Sequence, residues 1–189
     1  SYSKNGAGYV TGNGTAVDGD TFRVRHTSSG SFSTAVSTSL TIGGVSDTYS
    51  STTLASDTTP SAFTFTDVTN VALSATQTSN AITVAGLNTS TSVSISGGTY
   101  SKNGGAYTSA NTTAVNGNTF AVRHTSSGSF STATSCTLNI GGVTDVYTAT
   151  TLAADTTPSA FTFTDVSTVA LSTTQTSNAI TVAGLNTST

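Results

Sequence analysis

A fixed spacing of 98 residues relates one part of this chain to another without a gap. Val24 through Ala35 recurs as Val122 through Ala133, and Asp57-Thr58-Thr59-Pro60-Ser61-Ala62-Phe63 recurs as Asp155 through Phe161. Ninety-one positions (189 minus 98) can be paired in this way, and 69 of them are identical. A long period with no insertion is the signature of a tandem array, one folded unit copied end to end. The unit is thereby set at about 100 residues, enough to bury a single modest core.

Ser supplies 31 positions and Thr 44, so 75 of 189 residues carry a small hydroxyl group. Ser/Thr-rich tracts can be disordered, mucin-like stalks. Two features oppose that reading. Pro occurs only twice, and apolar residues make up 34% of the chain, set in short alternating runs. Thr is β-branched and favours strands, so the composition points to sheet. A net charge of −3 gives no basic face, and nucleic acid is excluded as a partner because the counterion-release drive is missing. No apolar run approaches the roughly 20 residues of a membrane helix, so no membrane insertion is expected.

Both prolines, Pro60 and Pro158, fall in matching stretches, 53–60 and 151–158. Pro cannot donate to a sheet ladder and belongs at edges and linkers. The division that follows is 1–56 as the C-terminal part of one repeat, 57–154 as a complete repeat, and 155–189 as the N-terminal part of the next. Within 57–154, period-2 runs predict strands over 62–66, 71–75, 80–87, 92–96, 100–102, 106–108, 119–125, 134–140 and 143–151. Asn103-Gly104-Gly105 predicts a hairpin turn, because Asn and Gly accept positive φ. Seven to nine short strands with no helical periodicity predict an all-β fold: tandem immunoglobulin-like β-sandwich repeats with a 98-residue period. A solenoid ranks second, since the 98 residues do not subdivide. Either half-repeat alone would expose sheet edges and half a core. Residues 156–189 of one copy are therefore expected to pack against residues 1–56 of the next.

Residues with chemical potential are few. Asp47, Asp57 and Asp67 recur as Asp145, Asp155 and Asp165 at ten-residue spacing. Ca²⁺ wants six to eight oxygens from clustered carboxylates, whereas this spacing suits acids that satisfy N–H groups at turns and strand ends. Asp18 and Asp20 are replaced by Asn116 and Asn118 in the other copy, which suits a turn tolerant of acid or amide. His26 and His124 end the same strand in phase with Phe22/Val24 and Phe120/Val122, and no partner for zinc or acid–base work accompanies them. Arg25 and Arg123 fall on the opposite strand face, where solvation or a surface ion pair is expected. A Lys–Asn isopeptide at Lys4 or Lys102 would need a buried acid beside it. Cys136 faces Thr38 in the other copy, so no disulfide forms within the unit. In phase with Leu138 and Ile140, it reads as a small buried hydrophobe. Asn13, Asn88, Asn111 and Asn186 open N-x-S/T triplets that abundant Ser and Thr produce by chance. No catalytic, cofactor-binding or metal residue is assigned, and no enzyme is expected.

Several segments together resemble a known bacterial repeat: Asp57 to Phe65, Thr78 to Leu87, Ser96-Gly97-Gly98-Thr99-Tyr100-Ser101, and Leu138 to Val143. It is similar to the tandem immunoglobulin-like repeats of giant secreted surface proteins of the adhesin and biofilm-associated type. The resemblance covers essentially the whole chain, implies an extracellular, cell-surface location, and brings no catalytic or binding residues. The expected role is a structural protein forming a rod, fibre or sheath. Its partners are copies of itself, packed head to tail and laterally. The second expectation is an adhesin stalk whose units grip glycan, a surface or ice.

Overall fold

Among residues 1–187, which the computed structural model describes, there is no helix and all regular structure is strand. Two compact units divide the chain, Ser1–Thr58 and Thr59–Thr189. The all-β expectation is met. The second unit holds nine strands: β5 (Val68–Val71), β6 (Thr76–Thr78), β7 (Ile82–Thr83), β8 (Thr91–Ser96), β9 (Thr99–Lys102), β10 (Thr112–Ala114), β11 (Thr119–Thr125), β12 (Ala133–Ile140) and β13 (Val143–Thr151). One sheet runs in the order β10-β8-β12-β13-β5, and in the other β6, β7 and β9 all pair with β11. Every pairing is antiparallel except that of β13 with β5.

The two sheets share one core, an arrangement consistent with a β-sandwich. Val93, Ala114, Cys136, Leu138, Ile140 and Tyr147 come from one sheet; Ile82, Tyr100, Phe120 and Val122 come from the other. Alternation explains the split, because side chains two apart on a strand point the same way. β12 shows it: Cys136, Leu138 and Ile140 are buried while Ser135, Thr137 and Asn139 lie outward. Each member of this core that has a counterpart 98 residues away is matched by the same residue type, Cys136 alone excepted.

Turn chemistry fixes two hairpins. Asn103 (φ 50 or so in each copy) and Gly104 adopt positive φ, at 51° and 72°, and the Gly105 N–H closes on the Lys102 carbonyl at 2.9 Å. Gly141 and Gly142, at φ 57° and 91°, join β12 to β13 in the two-residue turn that an antiparallel pair prefers.

Not every predicted strand is one. The stretch 62–66 keeps strand phase, with Phe65 buried and Phe63 partly so, yet it joins no sheet. Its backbone is held by side chains instead: the Phe65 N–H donates to Asp145 Oδ2 (2.6 Å) and the Thr66 N–H to Asn80 Oδ1 (2.7 Å). Only Ile82–Thr83 of the predicted 80–87 run pairs, and 71–75 is displaced to Val68–Val71. The polar strands β6 and β10 carry no apolar alternation for a sequence pattern to find.

The first unit contains β1 (Tyr2–Lys4), β2 (Phe22–Val24), β3 (Ala35–Ile42) and β4 (Val45–Thr52), paired as β1-β2 and β3-β4. Their registers repeat those of β9-β11 and β12-β13, shifted by 98 residues. What differs is cover. Tyr49 is 54% exposed where its counterpart Tyr147 is 0%, and Ile42 is 41% exposed against 0% for Ile140. Residues 155–187 form no strand and are almost wholly exposed; Phe163 is 48% exposed, whereas the matching Phe65 is 3%.

Candidate functional site

Taken residue by residue, the polar side chains named from the sequence serve the fold. Asp67 and Asp145 do more than cap their own turns. Asp145 accepts from Phe65, and Asp67 Oδ1 accepts from the Thr148 N–H at 2.8 Å, so the two carboxylates tie the front of the repeat to β13 across some eighty residues. Asp47 and Asp155 accept from nearby backbone N–H groups of Thr48 and Thr157. Asp20 Oδ2 accepts from the Val17 N–H (2.8 Å), and Asn118 Oδ1 accepts from the Val115 N–H (3.0 Å) in the other copy. Acid and amide are interchangeable there, as the sequence comparison implied. Asp20 also pairs with Lys4 at 2.6 Å. The Lys4 hydrogen bond, with those from Val17 and Asn5, lowers its carboxyl pKa to about 2.

Lys102 Nζ donates to the Thr113 carbonyl (2.6 Å), a bond that ties β9 to β10. The arginines differ from expectation. Arg25 lies 4.0 Å over the ring of Tyr9, and Arg123 lies 4.0 Å over that of Tyr107. These are cation–π contacts, not simple solvation or an ion pair. The signal was present in the sequence, since Tyr and Arg recur together at a spacing of sixteen in both copies.

The histidines part company. In the first unit His26 Nδ1 is 3.1 Å from Thr38 Oγ1, and Nε2 is 2.7 Å from Ser51 Oγ. The counterparts of those hydroxyl residues are Cys136 and Ala149. His124 is accordingly buried with neither ring nitrogen hydrogen-bonded, as is the Tyr147 hydroxyl beside it, the two rings 5.3 Å apart. Burial lowers the His124 pKa, so the neutral imidazole is held. Burial likewise raises the Cys136 thiol to about 11, and Cys136 sits in the core as the strand phase implied. Among the described residues no three His, Cys, Asp or Glu side chains come together.

A groove of about 770 Å³ lies in the first unit. Its walls are residues 10–16 on one side and 38–43 on the other, with Tyr2, Phe22 and Val24 along it. Hydroxyl, glycine, aliphatic and aromatic groups with the Asn13 amide make this lining, which holds no carboxylate, imidazole or amine side chain. It can offer backbone N–H and C=O groups and apolar contact, the means of binding an extended chain. No family model, no curated protein and no solved structure matches this chain.

Proposed function

We propose that this chain is a non-enzymatic, extracellular structural protein of a bacterial cell surface. Its immunoglobulin-like β-sandwich repeats, 98 residues in period, pack head to tail and side by side into a rod, fibre or sheath. The observation that supports this reading is the gapless recurrence, in which each residue of the core cluster that has a counterpart keeps its type, Cys136 excepted. Each module's core supplies local stability, and contacts between neighbours set stiffness. With only 7% charged residues, the surfaces repel weakly and suit lateral packing.

Sedimentation of the full chain over a hundredfold concentration range, with electron microscopy of the heaviest fraction, tests the reading. Linear, regularly spaced assemblies are the expected result. A chain that stays monomeric throughout would refute it.

A further inference from the structure

The outer face of the five-stranded sheet in the complete repeat carries no charge on its three central strands. Residues of β8, β12 and β13 alternate between core and solvent. The outward set on β12 is Ser135, Thr137 and Asn139; on β8 it is three serines, and on β13 threonines with Val146 among them. The cations of the repeat stand on the other sheet, Lys102 on β9 and Arg123 on β11. Asp145 pairs with the buried Leu138 and turns to the core side, where it accepts from the Phe65 N–H. Asp67 accepts from the Thr148 N–H at the edge of β13.

We propose that this face packs against the same face of a second copy of the chain, hydroxyl row to hydroxyl row, about a two-fold axis. This rests on the reading that copies associate side by side, and it names the surface through which they do so.

Desolvation selects the partner. An unpaired ion buried in a contact is costly, and a face without ions escapes that cost. Hydroxyl groups also resist burial unless they are bonded. The matching face of the first unit shows how they are satisfied. Ser37 and Ser50 lie 2.7 Å apart, Ser39 and Thr48 2.7 Å, and Thr41 and Ser46 2.6 Å, each pair joined across β3 and β4. Each hydroxyl thus has a partner within its own sheet and keeps bonding capacity for a facing one. Where the copies differ on this face, as at Thr41 and Asn139 or Thr48 and Val146, no charge enters. A like face is complementary to it, because it is equally uncharged and its hydroxyls both donate and accept, as a self-matching contact requires. A sugar site would be lined by aromatic side chains, and none points outward from these three strands. An ordered water lattice would need free hydroxyls, whereas those of β3 and β4 bond to one another. Three strands of this length present roughly 400 Å². A pair of faces covers about 800 Å², short of the roughly 1,200 Å² of a stable complex. One contact is therefore weak, and it holds by repetition along an array.

The test is oxidative cross-linking of the full chain, which captures weak contacts. One variant places a thiol on the face, Thr137→Cys, and a control places it outward on the other sheet, Ala121→Cys. Both also carry Cys136→Thr, the residue found at that place in the other copy. Cross-linked dimer should form at least tenfold faster for Thr137→Cys than for Ala121→Cys. Adding Ser94→Lys and Ser135→Lys to the first variant should slow it at least tenfold, through a repulsion that salt relieves, with an unchanged urea midpoint marking a folded repeat. Equal rates for the two thiol positions overturn the proposal whether or not the lysine variant folds, and so does a folded lysine variant that cross-links as fast as its parent. Retention on an insoluble neutral polysaccharide or in growing ice, without fast cross-linking at position 137, also overturns it and assigns the face to that partner. Linear assemblies that form without such cross-linking would keep the rod reading and remove this one. Fast cross-linking in a chain that builds no linear assembly would do the opposite.

Discussion

At the scale of single residues, the two copies of one histidine make a natural double experiment. His26 is satisfied by Thr38 and Ser51; in the other copy those positions are Cys136 and Ala149, and neither ring nitrogen of His124 is hydrogen-bonded. An unpaired buried polar group costs about 1–3 kcal/mol. The double substitution Cys136→Thr with Ala149→Ser should therefore stabilise the second unit by roughly 1–2 kcal/mol, measured as a shift in urea midpoint at pH 7.5. Because burial lowers the His124 pKa, the unfolded chain takes up the proton first. Stability is full above the ordinary imidazole value of about 6.5 and declines as pH falls below it. Urea titrations between pH 7.5 and 5 should show that decline, and a flat profile would contradict the assignment. Cys136, held protonated in the core, should resist alkylation in the native chain and react at once in denaturant. Its burial was legible from strand phase alone. The orphaned histidine was not, because the hydroxyls that satisfy its copy, Thr38 and Ser51, stand on two other strands, β3 and β4, far from His26 in sequence.

At the scale of elements, apolar alternation carried the reading and polar bonding limited it. β11, β12 and β13 alternate strongly, and the sequence places them to within a residue. The 62–66 stretch alternates as well, but a pattern reports which way side chains point, not where backbone bonds go. Here they go to Asp145 and Asn80. Replacing Asp145 by Ala removes a charge-assisted bond to Phe65 and should cost about 1.5–3 kcal/mol. Loss of amide-exchange protection confined first to Phe65 would check it. The crossing from β8 to β9 depends on Gly98, where an added Cβ would lie 2.5 Å from the Arg123 carbonyl and 2.8 Å from Cys136 Cβ. Gly98→Ala should destabilise the second unit by roughly 1–3 kcal/mol through overpacking, readable in thermal melts.

At the scale of the whole molecule, one sequence is seen in two conditions. Phe65 buried and Phe163 exposed, Tyr147 buried and Tyr49 exposed, differ in cover and not in chemistry. Exposed apolar patches of this kind mark interaction surfaces. Phe161→Ser with Phe163→Ser should abolish concentration-dependent assembly in sedimentation while leaving the unfolding midpoint of the complete repeat unchanged. The period and the all-β class were open to sequence reasoning because they are written in recurrence and alternation. The difference in cover was not, since it shows only when the two folded copies of one motif are compared.

β5 and β13 run parallel, with Val68 beside Ala149 and Val71 beside Thr151. These strands stand near opposite ends of the complete repeat. A pull applied to those ends draws the two strands past each other lengthwise, loading the bonds from Thr148 and Leu152 to Asp67 and Val71 at the same moment. Bonds sheared together resist tension far better than bonds unzipped in turn, so under such a pull the repeat should yield abruptly rather than by gradual stretching.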